Sequence, residues 1–160
     1  MPEPESNLTG SKLYDLWQPA VRAQEPPSPF PEYLEASMKA RRQEVWPYQA
    51  ELAQELLQHS DIIVGKARQI GVTELLCDYA RWCAERGKRV LILSKGQLES
   101  ARFLRRTNLR YSGAMAMTKD TEQQVELANG GHALALPATT GAGRSFTADL
   151  VIVDEAAFDP

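Results

Sequence analysis

The chain has 160 residues, of which 43% are hydrophobic, and a formal net charge of −3. That length and apolar content point to one domain with a buried core and exclude global disorder. The weak negative charge excludes attraction to nucleic acid over the whole surface, so any DNA contact must come from a local basic patch.

In chain order, residues 1–31 are polar and proline-rich, ending in PPSPFP at 26–31, and read as a mobile arm with one short helix near SKLYDLW, 11–17. Residues 32–160 read as one partial domain. A charged helix is expected over 32–45. A second opens at WPYQ, 46–49, with Pro47 suited to a first turn, and runs to about His59. DIIVGKA, 61–67, reads as a buried strand. A loop and a helix follow over 72–86, stopped by Gly87. KRVLILS, 88–94, reads as a strand and QLESARFLRRTNLRY, 97–111, as a helix. EQQVEL, 122–127, and HALALPA, 132–138, flank NGG at 129–131, a hairpin turn signal. A glycine-rich loop, 139–149, leads to LVIVDEAAF, 150–158. There is no internal repeat.

This alternation predicts an α/β fold with a mainly parallel sheet flanked by helices. IIV, VLIL and LVIV are continuous apolar runs, as strands buried on both faces should be. Cys77 and Cys83 lie six apart on one predicted helix, on different faces, and suggest neither a disulfide framework nor a zinc site. No signal segment or membrane-length apolar run is visible, which fits a soluble, reducing compartment.

Two stretches carry chemistry. LVIVDE, 150–155, puts two acids at the carboxyl end of a strand, the edge where open α/β sheets bind ligands. Asp154 is the candidate Mg²⁺ ligand and Glu155 the candidate base for an attacking water. KARQIGVT, 66–73, stands where a phosphate-binding loop belongs, between a strand-like run and a helix. Such loops aim backbone N–H groups and the positive end of a helix at phosphate oxygens. Gly71 and Thr73 match the G-x-x-x-x-G-K-[ST] pattern, but Val72 holds the lysine position and Lys66 the first glycine position. A long side chain can deliver its ammonium from either end of a curled loop, so Lys66 is a candidate replacement. Either stretch alone could be an ordinary strand end or turn; together they make a stronger pair.

Taken with PYQ at 47–49, VLILSK, the N-G hairpin leading into LALPA, and RSFTADLVIVDEAAF at 144–158, these residues resemble the large terminase subunit of tailed bacteriophages over about 45–158. That family is the ATP-driven motor that packages DNA into a capsid, and some members carry the loop lysine at the first position. The resemblance implies a P-loop NTPase fold of the RecA-like (ASCE) type. It implies that residues 66–73 (Lys66, Ala67, Arg68, Gln69, Ile70, Gly71, Val72, Thr73) cradle ATP, that Thr73 and Asp154 serve Mg²⁺, and that Glu155 serves the water. Gln49 would read the adenine edge, or stand as a plain helix residue. Arg144, ten residues before Asp154, would be an arginine finger for a neighbouring subunit, or a solvated loop arginine.

The same resemblance implies double-stranded DNA, a homo-oligomeric ring on a capsid portal and a small terminase subunit as partners. It implies the bacterial host cytoplasm and no membrane. Family members continue past the D-E block with a further strand, a coupling motif and a nuclease domain. The expectation is therefore an ATPase domain incomplete at its C-terminus, marginally stable, with weak or no turnover. The missing strand would lie between the phosphate-loop strand and the D-E strand. Arg102, Arg106 and Arg110 form one stripe on the 97–111 helix. It reads first as a solvated face and second as a DNA contact. The alternatives are a superfamily 2 helicase, against which DEAA at 154–157 and the displaced lysine speak, an inactive prophage remnant, or a nucleotide-binding module without catalysis.

Overall fold

The computed structural model describes residues 28–67, 69–109, 116–139, 141 and 146–155. The arm's expected short helix at 11–17 lies outside the described residues, as do Arg68, Arg110 and Arg144.

The described residues form four helices and a five-stranded mixed sheet, an α/β fold. Helix α1 spans Phe30–Ala40, with a proline in its first turn. Phe30, Leu34 and Met38 recur every four residues and are buried, so one stripe of this helix faces the core. Helix α2 spans Pro47–Gln58, opened by Pro47 as expected. Helix α3 spans Val72–Glu85 and is the central helix, buried along most of its length. It ends in a Schellman closure: Lys88 N–H donates to Cys83 O at 3.1 Å and Gly87 N–H to Ala84 O at 2.9 Å. Helix α4 spans Gln97–Leu109.

Strands β1 (Arg89–Ser94), β2 (Met117–Asp120), β3 (Gln124–Leu127), β4 (His132–Pro137) and β5 (Leu150–Val153) are ordered β2-β3-β4-β1-β5. β1 pairs parallel with β4 on one side and β5 on the other. β3 pairs antiparallel with β4 and with β2. The sheet is thus mixed: parallel in its core around β1, as expected, and antiparallel toward β2. The N-G turn closes the β3–β4 hairpin as its sequence predicts. At its tip, Asn129 Nδ2 donates to Glu85 O at 2.8 Å. A Cβ on Gly131 would overlap Ala84 O, so only glycine lets the turn dock on the end of α3.

Helices α3 and α4 pack on the sheet, and α1 and α2 pack on α3. Val90, Ile92 and Ile152 share the sheet face that packs against the helices and are buried. Asp78 of α3, fully buried, holds α1 through a two-pronged pair: Arg41 Nη2 donates to Oδ2 at 2.8 Å and Nη1 to Oδ1 at 3.1 Å. Ser37 Oγ donates to the same carboxylate at 2.6 Å. Both cysteines are buried and form no disulfide, and burial pushes the Cys83 thiol up to about 11.

Two expectations are corrected. Residues 61–67 form no strand. Ile63 is fully exposed, and the segment joins no ladder of the sheet. An apolar run becomes a strand only where a neighbour supplies hydrogen bonds, and β5, on the edge of the sheet, pairs with β1 alone. Second, LVIV is not buried on both faces: Ile152 is 5% exposed, but Val151 and Val153 are 52% and 45% exposed. One strand missed from the sequence is β2, a four-residue edge that is exposed throughout and carries no apolar periodicity. Among the described residues, no helix is long and apolar enough to cross a membrane.

Candidate nucleotide-binding site

The site forms where β1 and β5 end and α3 begins. Asp154 N–H donates to Leu93 O at 2.9 Å, carrying the β1–β5 ladder one residue past the strand. Glu155 then turns away with φ 60°. The chain returns to the sheet from β4 on one side of β1 to β5 on the other. That reversal of direction about a central strand opens a crevice at the carboxyl ends.

The loop before α3 is turned by two left-handed residues, Gln69 at φ 62° and Gly71 at φ 81°. Gly71 is the N-cap of α3. It lies against Gln49 and Tyr48: a Cβ there would stand 3.0 Å from Gln49 Nε2 and 3.5 Å from the Tyr48 hydroxyl. Gln49 is 5% exposed and its amide is committed at both ends. Oε1 accepts from Trp46 N–H at 3.0 Å, and Nε2 donates to Gly71 O at 3.3 Å. The glutamine therefore braces α2 against the loop. The buried Tyr48 hydroxyl has no hydrogen-bond partner among the described residues.

Lys66 reaches from the start of the loop to the start of α3 and the end of β5. Its Nζ donates to Thr73 Oγ1 at 2.9 Å and to Asp154 Oδ1 at 2.9 Å. Thr73 Oγ1 donates to Asp154 Oδ2 at 3.4 Å. Three groups, two of them 88 residues apart in sequence, meet at one point. Val72, at the usual lysine position, is 3% exposed and packs into the core. A lysine there would have to bury its charge. Ala67 and Gln69 are exposed and Ile70 is half-buried.

A cleft of about 180 Å³ opens beside this cluster, lined by Thr73, Ser94, Glu99, Arg102, Phe103, Arg106, Asp154 and Glu155. It is smaller than the roughly 300–1,000 Å³ of a whole small-molecule pocket, and its walls are charged. Its scale and chemistry suit a phosphate chain rather than an entire nucleoside. Ser94, at the end of β1, and Glu99 and Phe103 of α4 were not legible as site residues, because nothing in the sequence says which face of α4 turns toward the cleft at the end of that strand.

Thr73 and Asp154 present a hydroxyl and a carboxylate around a cation, here the Lys66 ammonium. These are hard oxygen donors that fit Mg²⁺, which takes one or two protein oxygens and completes its shell with water and phosphate. Among the described residues no cluster of three or more His, Cys, Asp or Glu side chains forms a dedicated metal cage. No family model matches the chain, and no curated protein does.

Proposed function

We propose that this chain is the ATP-hydrolysing part of a DNA-packaging motor of the large-terminase class, built on a P-loop NTPase scaffold. The observation that carries the ATPase half is the convergence of Lys66, Thr73 and Asp154. The loop, the start of α3 and the end of β5 meet there, which is what phosphate binding with a divalent cation requires. The motor half rests on the resemblance of residues 45–158.

In this reading the Lys66 ammonium turns from Asp154 to the β- and γ-phosphates, while the start of α3 offers its N–H groups to the same oxygens. Thr73 and Asp154 would hold Mg²⁺, which would supply charge neutralisation to the phosphates. Glu155 takes a proton from the attacking water; the water oxygen bonds to the γ-phosphorus as the bond to the β-phosphate oxygen breaks. Arg144 would act on a neighbouring subunit's phosphates. Double-stranded DNA, a ring on a capsid portal, a small terminase subunit and the host cytoplasm complete the proposal.

The experiment is thermal unfolding with and without Mg-ATP, on this chain and on Lys66→Ala. A ligand at a hundred times its dissociation constant stabilises the folded state by about 2.7 kcal/mol. The wild type should shift upward and the variant should not. Cooperative melting of both with no shift would refute the reading.

A further inference from the structure

The cleft has a wall that the nucleotide reading does not use. Glu99, Arg102, Phe103 and Arg106 line it, and their spacing of three, four and seven residues makes them one face of α4. Phe103 is buried and anchors that face to the core. The two arginines beside it are exposed and turn toward Thr73, Asp154 and Glu155 across the cleft. Arg106 is tethered: its Nη1 lies 3.5 Å from Glu74 Oε1 on α3. Arg102 makes no ion pair among the described residues. Its neighbour Arg105 is also exposed but lies off the cleft-lining face.

From this arrangement we infer that Arg102 is a ligand of the terminal phosphate of the bound nucleotide, supplied by the same subunit. The inference rests on the proposed nucleotide site and adds a residue to it. A guanidinium offers planar, paired N–H donors that match phosphate oxygens. Thr73 lines the cleft from α3, with the Lys66 ammonium on its hydroxyl, and Arg102 lines it from α4. A group so placed meets the far end of a phosphate chain and distinguishes a triphosphate from a diphosphate. The two described members of the arginine stripe of α4, Arg102 and Arg106, thus line the cleft, while Arg105, off the stripe, does not.

The test is equilibrium binding of Mg-ADP, of a non-hydrolysable Mg-ATP analogue and of a DNA duplex. It uses the full chain and the variants Arg102→Ala, Arg102→Lys, Arg105→Ala and Lys66→Ala, each checked for an unchanged melting profile without ligand. Arg102→Ala should lose about tenfold or more in affinity for the ATP analogue, the scale of a charged hydrogen bond, and change little for ADP. Arg102→Lys should recover part of the loss, and Arg105→Ala should bind both nucleotides as the wild type does. If Lys66→Ala loses both nucleotides while Arg102→Ala keeps the wild-type preference for ATP, the nucleotide site stands and the role of Arg102 is refuted. Equal losses for ADP and ATP in Arg102→Ala would also refute it, by reducing the residue to the general field of the cleft. Loss of DNA binding with nucleotide binding intact would make this face of α4 a DNA contact instead. A wild type that binds neither nucleotide would overturn the site reading and this inference with it.

Discussion

Lys66 Nζ lies 2.9 Å from Asp154 Oδ1, across 88 residues of sequence. The ammonium sits between a carboxylate and a threonine hydroxyl, the place that the proposed nucleotide reading gives to a divalent cation. Loop, helix start and strand end are joined through one charge.

Lys66→Ala should cost at most about 1 kcal/mol of stability without ligand, because the pair is partly solvated, with side-chain exposures of 26% and 13%. For a chain of this size that is a fall in melting temperature of about 2–4 °C. The larger effect should be loss of the nucleotide-induced shift. A variant that keeps the full shift would remove Lys66 from the site.

Val72→Lys restores the standard loop pattern in sequence and should fail in structure. Position 72 is 3% exposed and packs into the core. A lysine there must bury its ammonium or push α3 off the sheet, at a cost of several kcal/mol. Urea unfolding of Val72→Lys, alone and with Lys66→Ala, should show destabilisation and no recovery of nucleotide binding. Recovery in the double variant would mean the loop accepts either lysine.

Gly71→Ala should destabilise the chain by about 1–2 kcal/mol, the cost of a left-handed backbone for an L side chain. Its φ is 81°, and its Cβ would stand 3.0 Å from Gln49 Nε2. The hydrogen bond from Gln49 to Gly71 O should weaken as well, so binding should fall with stability. Denaturant midpoints and the nucleotide-induced shift, measured together, test both halves.

Asp78→Asn leaves the Arg41 guanidinium facing a neutral amide in a fully buried position. The guanidinium left behind is 27% exposed, so the loss is that of its charged hydrogen bonds, about 1.5–3 kcal/mol. Chemical denaturation should show it, with α1 the element released. A change below about 1 kcal/mol would mean that α1 docks through Phe30, Leu34 and Met38 alone.

Arg89 bonds to Asp149 through its backbone N–H at 2.8 Å and its Nε at 3.1 Å. Its guanidinium and backbone N–H hold the Asp149 carboxyl down at about 2, from an ordinary 3.8. A depressed carboxylate stabilises the fold fully above its unfolded value and loses that contribution as pH falls through the folded one. The contact ties the starts of β1 and β5, so its share of stability should be intact at pH 5 and vanish between about pH 4 and 2. In Asp149→Asn that part of the pH dependence, followed by melting, should be absent.

Much of this was legible in the chain. Pro47 and Gly87 bound α2 and α3 because each imposes its geometry locally. The N-G turn specified the β3–β4 hairpin for the same reason. Lys66, Gly71, Thr73 and Asp154 stood out because phosphate and metal chemistry needs few residue types at fixed spacings. What failed was partner choice. IIV at 62–64 has the composition of a buried strand, yet Ile63 is fully exposed, since a strand exists only when another backbone pairs with it. MTKD at 117–120 has no strand composition, yet it is one because β3 offers it a ladder.

The sequence by itself determined the α/β alternation, the start of α2, the end of α3, the β3–β4 turn and the residue types proposed to hold a phosphate and a cation, because local backbone sterics and side-chain chemistry need no distant partner. It misplaced α1, expected over 32–45 and found at Phe30–Ala40. Only the tertiary structure decided that Val72 points into the core, that the ammonium of Lys66 reaches Asp154, and that Arg102 and Arg106 of α4 face the same cleft. Those outcomes depend on how α3 and α4 pack on the sheet. Packing is settled by the summed burial of distant side chains and not by any one stretch of the chain.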